Sequence, residues 1–163
     1  MRVLRAFNDI AVRIGSWGTI LFMGVIGIVI PYEVAGRYLF GKMTIWSGEV
    51  AIYSLAWASM LGGAVGLRKG YQVAVTSVVE MVPDAMARML RFLSYLFSLV
   101  FFGVMFGWGL YQTIYNLKQT SPAMGLVMSV PYAALPTGFL IMFFVALEEF
   151  LSFLGIGDGG SKR

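Results

Sequence analysis

The chain contains no cysteine and no histidine in 163 residues. Without cysteine it forms no disulfide, thiolate zinc site or iron–sulfur cluster, and it has no thiol nucleophile. Without histidine it lacks His-ligated haem, copper or zinc and the commonest general base. Charge is scarce as well: 12% of residues are charged, against about 25% in an ordinary soluble domain. A metalloenzyme, a His-assisted hydrolase and a haem-bearing membrane subunit are therefore not expected, and no cofactor is expected.

What fills the space is apolar. Hydrophobic residues make up 59% of the chain, where about 45–50% is usual, and the mean hydropathy is +0.81. A bilayer is the solvent that suits such a surface. The net charge of +4 points to membrane orientation and not to nucleic acid, because of how the charges are distributed.

Crossing about 30 Å of hydrocarbon takes about 20 helical residues. Four apolar stretches are long enough: Ile14 to Tyr38, Trp46 to Leu67, Leu90 to Tyr115 and Leu126 to Leu154. Between the second and third, Val75, Val78, Val79 and Val82 recur at helical spacing opposite Gln72, Thr76 and Glu80. That pattern predicts a short amphipathic helix lying in the membrane interface and stopped by Pro83, or else a β-branched connector packed on the bundle. Pro31, Pro131 and Pro136 are expected to kink the first and fourth spans. The expected fold is an all-α integral membrane protein of four transmembrane helices plus that interfacial helix, a single domain over residues 1–163 with a flexible tail from 155 to 163.

The basic N-terminus resembles that of a signal peptide, but the apolar run after Arg13 exceeds the usual length of about 7–15 residues and shows no cleavage site. The first helix is therefore expected to be retained. Lys and Arg divide unevenly. One side of the membrane holds Arg2, Arg5, Arg13, Arg68, Lys69, Arg88, Arg91, Lys162 and Arg163, while the other holds Lys42 and Lys118, with Arg37 near its interface. That bias places both termini in the cytoplasm.

Few residues are candidates for chemistry. Glu33 and Arg37 are one helical turn apart, and Glu49, in the first turn of the next span, falls at a similar depth if the hairpin around Gly41 closes. Intramembrane ionisable residues suggest a proton or substrate relay. Arg37 as a permanent counter-charge favours a structural clamp between spans one and two. Ser54, Ala58, Gly62 and Gly66 recur every four residues, and Gly103 and Gly107 form a small-xxx-small pair. Such faces fit either internal packing or a docking surface for another membrane subunit. Arg68 and Lys69 read as a topology signal touching lipid phosphates, and Glu148 and Glu149 as solvated at the headgroups.

Four blocks then occur in order: Glu33-Val34-Ala35-Gly36-Arg37-Tyr38-Leu39-Phe40, Trp46-Ser47-Gly48-Glu49, Ala56-Trp57-Ala58-Ser59-Met60-Leu61-Gly62-Gly63-Ala64, and Leu67-Arg68-Lys69-Gly70-Tyr71-Gln72-Val73. Together they resemble the small membrane subunit of tripartite ATP-independent periplasmic (TRAP) transporters, the DctQ-like small permease, over roughly Ile14 to Leu154. The resemblance implies a bacterial inner-membrane scaffold and no enzyme. Its implied partners are a large elevator-type permease holding the substrate and sodium sites, a periplasmic solute-binding protein and membrane lipids. The implied cargo is an organic acid such as a C4-dicarboxylate or sialic acid. The chain itself has too few buried polar groups to hold an anion with its coupling ions, and lacks the inverted repeat of a complete transporter. A small proton-coupled efflux homodimer, also of four spans with a Glu in the first, is the competing reading; Arg37 beside Glu33 argues against it.

Overall fold

A computed structural model describes residues 2–41, 44–70 and 83–155. The interfacial helix expected before Pro83 and the tail beyond Gly155 lie outside the described residues. Helix α1 runs Arg2–Phe40, α2 Ile45–Arg68 and α3 Asp84–Tyr115. A 3-10 turn, Asn116–Lys118, leads into a loop, and the short α4, Ser129–Tyr132, precedes α5, Ala134–Phe153. Four helical stretches are long and apolar enough to cross a membrane, the last of them Ser129–Phe153 with its break.

The ends depart from the sequence reading in ways the residues explain. Helix α1 starts twelve residues before Ile14, and at about 1.5 Å per residue its 39 residues extend about 58 Å. It continues through Pro31 without interruption. Helix α3 starts just after Pro83, with Asp84 in its first turn facing the positive end of the helix dipole. The fourth span is not helical from Leu126. Residues 119–128 fold back as a turn, with Thr120 bridged to Val127 and Gly125 at φ 66°, a left-handed conformation that glycine adopts without steric cost. Helix resumes in two pieces around Ala133, between Pro131 and Pro136, each of which removes a backbone donor.

Helices α2 and α5 form the centre. α1 packs along α2 and touches α5, while α3 packs on α5 and not on α1 or α2. In lipid no hydrophobic force drives such contacts, so close backbone approach carries the packing. A Cβ placed on Gly138 of α5 would lie 2.7 Å from Met60 Cβ and 3.1 Å from the Met60 carbonyl of α2. On the other side of α5, a Cβ on Gly109 of α3 would lie 3.0 Å from Pro136 N. These two glycines are where α5 meets both neighbours. Val12, Leu67 and Val145 form the buried core near one end of the bundle.

Candidate functional site

Polar side chains gather at two places, one at each end of the bundle. At the end where α2 stops, Arg68 donates to Glu148 Oε2 at 2.7 Å and to Asp9 Oδ1 at 2.8 Å. Asn8 donates its amide to the same Glu148 oxygen at 2.7 Å and to the Phe144 carbonyl at 3.0 Å. Arg5 approaches Glu148 Oε1 at 3.5 Å. Three helices, α1, α2 and α5, are tied by one carboxylate. Glu148 is 5% exposed and Asn8 fully buried, so the bonds that Asn8 and Arg68 make to Glu148 are charge-assisted bonds in a low-dielectric setting, worth more than at the surface, whereas Asp9 is exposed.

This corrects two readings from sequence. Glu148 is not solvated at the headgroups: it continues the buried face of α5 through Gly138, Val145 and itself. Arg68 faces inward to that carboxylate. Lys69, the other half of the basic pair, is exposed. The sequence does not single out Asn8, Asp9 and Arg5 as a site, because the apolar run of the first span begins only at Ile14. The signal that could have found them is Asn8, Val12 and Gly15, one buried helical face with a single amide in it.

At the opposite end Glu49 binds the turn between α3 and α5. Ala123 N–H donates to its Oε1 at 3.0 Å and Met124 N–H to its Oε2 at 3.2 Å. The buried Ser121 hydroxyl accepts from Met124 and Leu126 N–H inside that turn, at 3.3 and 3.2 Å. One helical turn further along α2, Tyr53 OH donates to Met128 Sδ at 3.3 Å, and one turn beyond that Trp57 Nε1–H donates to the Val130 carbonyl at 3.2 Å. Residues 49, 53 and 57 thus form one stripe of α2, spaced by four, that holds residues 123–130 in place.

Glu49 is therefore not brought to Arg37, and no ion pair joins Glu33, Arg37 and Glu49 among the described residues. Tyr32 packs beside Trp46 with ring centroids 6.1 Å apart, which sets Glu33 level with the start of α2 and Glu49 about 6 Å deeper along it. Arg37 lies one turn past Glu33, exposed, on the part of α1 that overhangs α2.

The small-residue stripe faces inward at Ser54 and Ala58, 6% and 4% exposed. A Cβ on Gly62 would meet Thr19 Cγ2 of α1 at 3.4 Å, so that position belongs to the α1–α2 seam, with Gly66 half-buried below it. Gly103 and Gly107 differ: a Cβ on Gly103 would touch only the Phe143 ring at 3.7 Å, and one on Gly107 would meet nothing within 4 Å. Among the described residues no group of three or more acidic side chains could hold a metal ion. Arg68 stands between Asp9 and Glu148 and pairs with both.

A family model described as "Tripartite ATP-independent periplasmic transporters, DctQ component" matches residues 10–155. The chain is 26% identical over 120 residues to a C4-dicarboxylate TRAP transporter small permease protein, DctQ, of Rhodobacter capsulatus, covering 72% of this chain and 53% of that protein. It is 24% identical over 68 residues to the protein of the same description from Vibrio cholerae, covering 42% of this chain and 29% of that one. The chain spans about half the length, or less, of the curated relatives it matches.

Proposed function

The chain belongs to the DctQ component family of the TRAP transporters, and from that premise we propose that it is the non-catalytic scaffold of a sodium-coupled importer. It is a multi-pass subunit of the bacterial inner membrane, a transporter component and not an enzyme. In the proposed assembly a large elevator-type permease holds the substrate and sodium sites, a periplasmic binding protein delivers the solute, and this chain widens and steadies the static part. The solute is an organic acid of the C4-dicarboxylate kind, the class in the names of both relatives. The Lys and Arg count puts both termini in the cytoplasm, with the Arg68 cluster inside and the Glu49-bound turn in the periplasm.

One observation carries this reading. The buried Glu148 carboxylate is spent on Arg68 and the partly exposed Glu49 carboxylate on a backbone turn, so both tie the chain to itself. Among the described residues neither is left free to take up a solute. A body cross-tied at both ends suits a part that stays still while its neighbour moves. Glu33, level with the start of α2, and Arg37, on the overhang of α1, are left for contacts with the permease or the binding protein, and Lys69 for lipid phosphates.

Reconstitution tests the proposal. Proteoliposomes holding this chain with a large permease and binding protein should take up a C4-dicarboxylate when an inward sodium gradient is imposed, and liposomes with this chain alone should not. Uptake by the chain alone would overturn the scaffold reading.

A further inference from the structure

A groove of about 500 Å³ runs along the open side of α3, lined by Gly103, Val104, Gly107, Trp108 and Tyr111. Among the described residues its two glycines are not needed for packing within the chain. Gly109 on the other face of α3 is pressed against Pro136, whereas a Cβ on Gly107 would meet nothing and one on Gly103 only an ordinary ring contact. Val104, Trp108 and Tyr111 stand out from the helix, 52%, 64% and 58% exposed.

The groove continues into a polar end. Positions 104, 108, 111, 115 and 118 follow helical spacing and share one face. Trp108 meets Tyr111 edge-on at 6.0 Å and Tyr111 stacks on Tyr115 at 6.1 Å, a ladder of amphipathic rings of the kind that settles at the membrane–water interface. Lys118, exposed, closes the row just past the helix. From the middle of the span outward the order is apolar slot, aromatic ladder, cation.

We propose that this groove is a phospholipid site: one acyl chain lies in the Gly103–Gly107 slot, the glycerol region meets the tyrosines, and the phosphate of an anionic lipid pairs with Lys118. The exposed Trp108 and Tyr111 hold off the flat backbone approach that small-xxx-small helix pairing requires. A flexible chain bends around such rings and gains dispersion contacts along the slot. The charge at the outer end selects the headgroup: a single lysine near the surface favours an anionic lipid about fivefold. This inference does not depend on the transporter reading.

Native mass spectrometry of the purified full chain in mild detergent, with palmitoyl-oleoyl phosphatidylglycerol or phosphatidylcholine added, tests it. The expected result is one retained phosphatidylglycerol per chain, in preference to phosphatidylcholine. Gly107→Leu fills the slot from an open position and should abolish retention without loss of helical circular dichroism. Lys118→Gln should lower phosphatidylglycerol retention about fivefold and erase the preference. Equal retention of both lipids by the unmodified chain, or undiminished retention by Gly107→Leu, would overturn the site. So would a Gly107→Leu chain that keeps its lipid but no longer co-purifies with a large membrane subunit, an outcome that assigns the face to a partner helix.

Discussion

Arg68 and Glu148 lie 80 residues apart in the chain and 2.7 Å apart in the fold. Each ends the membrane-buried part of its helix, and the bond between them closes the bundle at that end while Asn8 and Asp9 draw α1 into it. The pair is useful as a joint because the buried Glu148 depends on it: losing Arg68 leaves that carboxylate with the Asn8 amide and the half-exposed Arg5 at 3.5 Å.

Removing Arg68 alone should therefore cost more than removing both. Arg68→Met alone leaves the buried Glu148 carboxylate without its main counter-charge, at about 3–5 kcal/mol; Glu148→Leu alone leaves Arg68 still paired with Asp9 and should cost less. The double variant replaces the pair by packed apolar groups and should recover most of that loss. Thermal unfolding of the three variants in one detergent checks it, and strict additivity of the two single effects would show that the contact contributes nothing.

Glu49 should govern the order of the 121–126 turn and little else. In Glu49→Ala the Ala123 amide loses its acceptor and the Met124 amide keeps only Ser121 Oγ, so their hydrogen exchange should accelerate, Ala123 more than Met124, while the amides of α2 and α5 stay protected. Glu49→Gln keeps one carbonyl acceptor and should show an intermediate rate at the same two amides. Uniform acceleration through the bundle would place Glu49 in the global fold.

The two glycine classes should separate under the same substitution. Gly138→Ala forces its new methyl group into the Met60 backbone, an overpacking worth about 1–3 kcal/mol. Gly107→Ala adds a methyl group in open space and should leave stability within about 0.5 kcal/mol. Comparison of unfolding midpoints decides, and equal effects would contradict the α2–α5 approach.

Arg37 tests the overhang of α1. It is exposed and makes no ion pair among the described residues, so Arg37→Ala should leave the unfolding midpoint of this chain unchanged, within about 0.5 kcal/mol. If the side chain serves the proposed assembly, the same variant lowers co-purification of the large permease. A lowered midpoint in the isolated chain would restore the clamp between spans one and two.

How far the site could be read from sequence depended on whether its residues act locally. Helical spacing put Ser54 and Ala58 on one face, and they are buried together. The Gly62 contact with Thr19 needed only the antiparallel neighbour. Glu33 and Glu49 were expected to meet because the hairpin at Gly41 suggested equal depth. The helix runs on to Phe40 and so offsets them by about a turn. The true partner of Glu49, residues 123–124, is 74 and 75 positions away, and no local pattern announces such a distance. A period-four stripe of Glu49, Tyr53 and Trp57, each with a polar atom on an apolar body, was the available signal.

Composition and periodicity by themselves determined that this is a helical protein of the bilayer with four spans, because hydrocarbon imposes a length and a polarity on whatever crosses it. The absence of cysteine and histidine determined what chemistry it could not perform. Only the tertiary structure decided that Arg68 turns inward, that Glu148 is buried and that Glu49 holds a loop. A long charged side chain near a helix end can reach lipid, water or a neighbouring helix at similar cost, and for Arg68 the choice follows from how closely α2 and α5 approach, as they do at Gly138 and Met60.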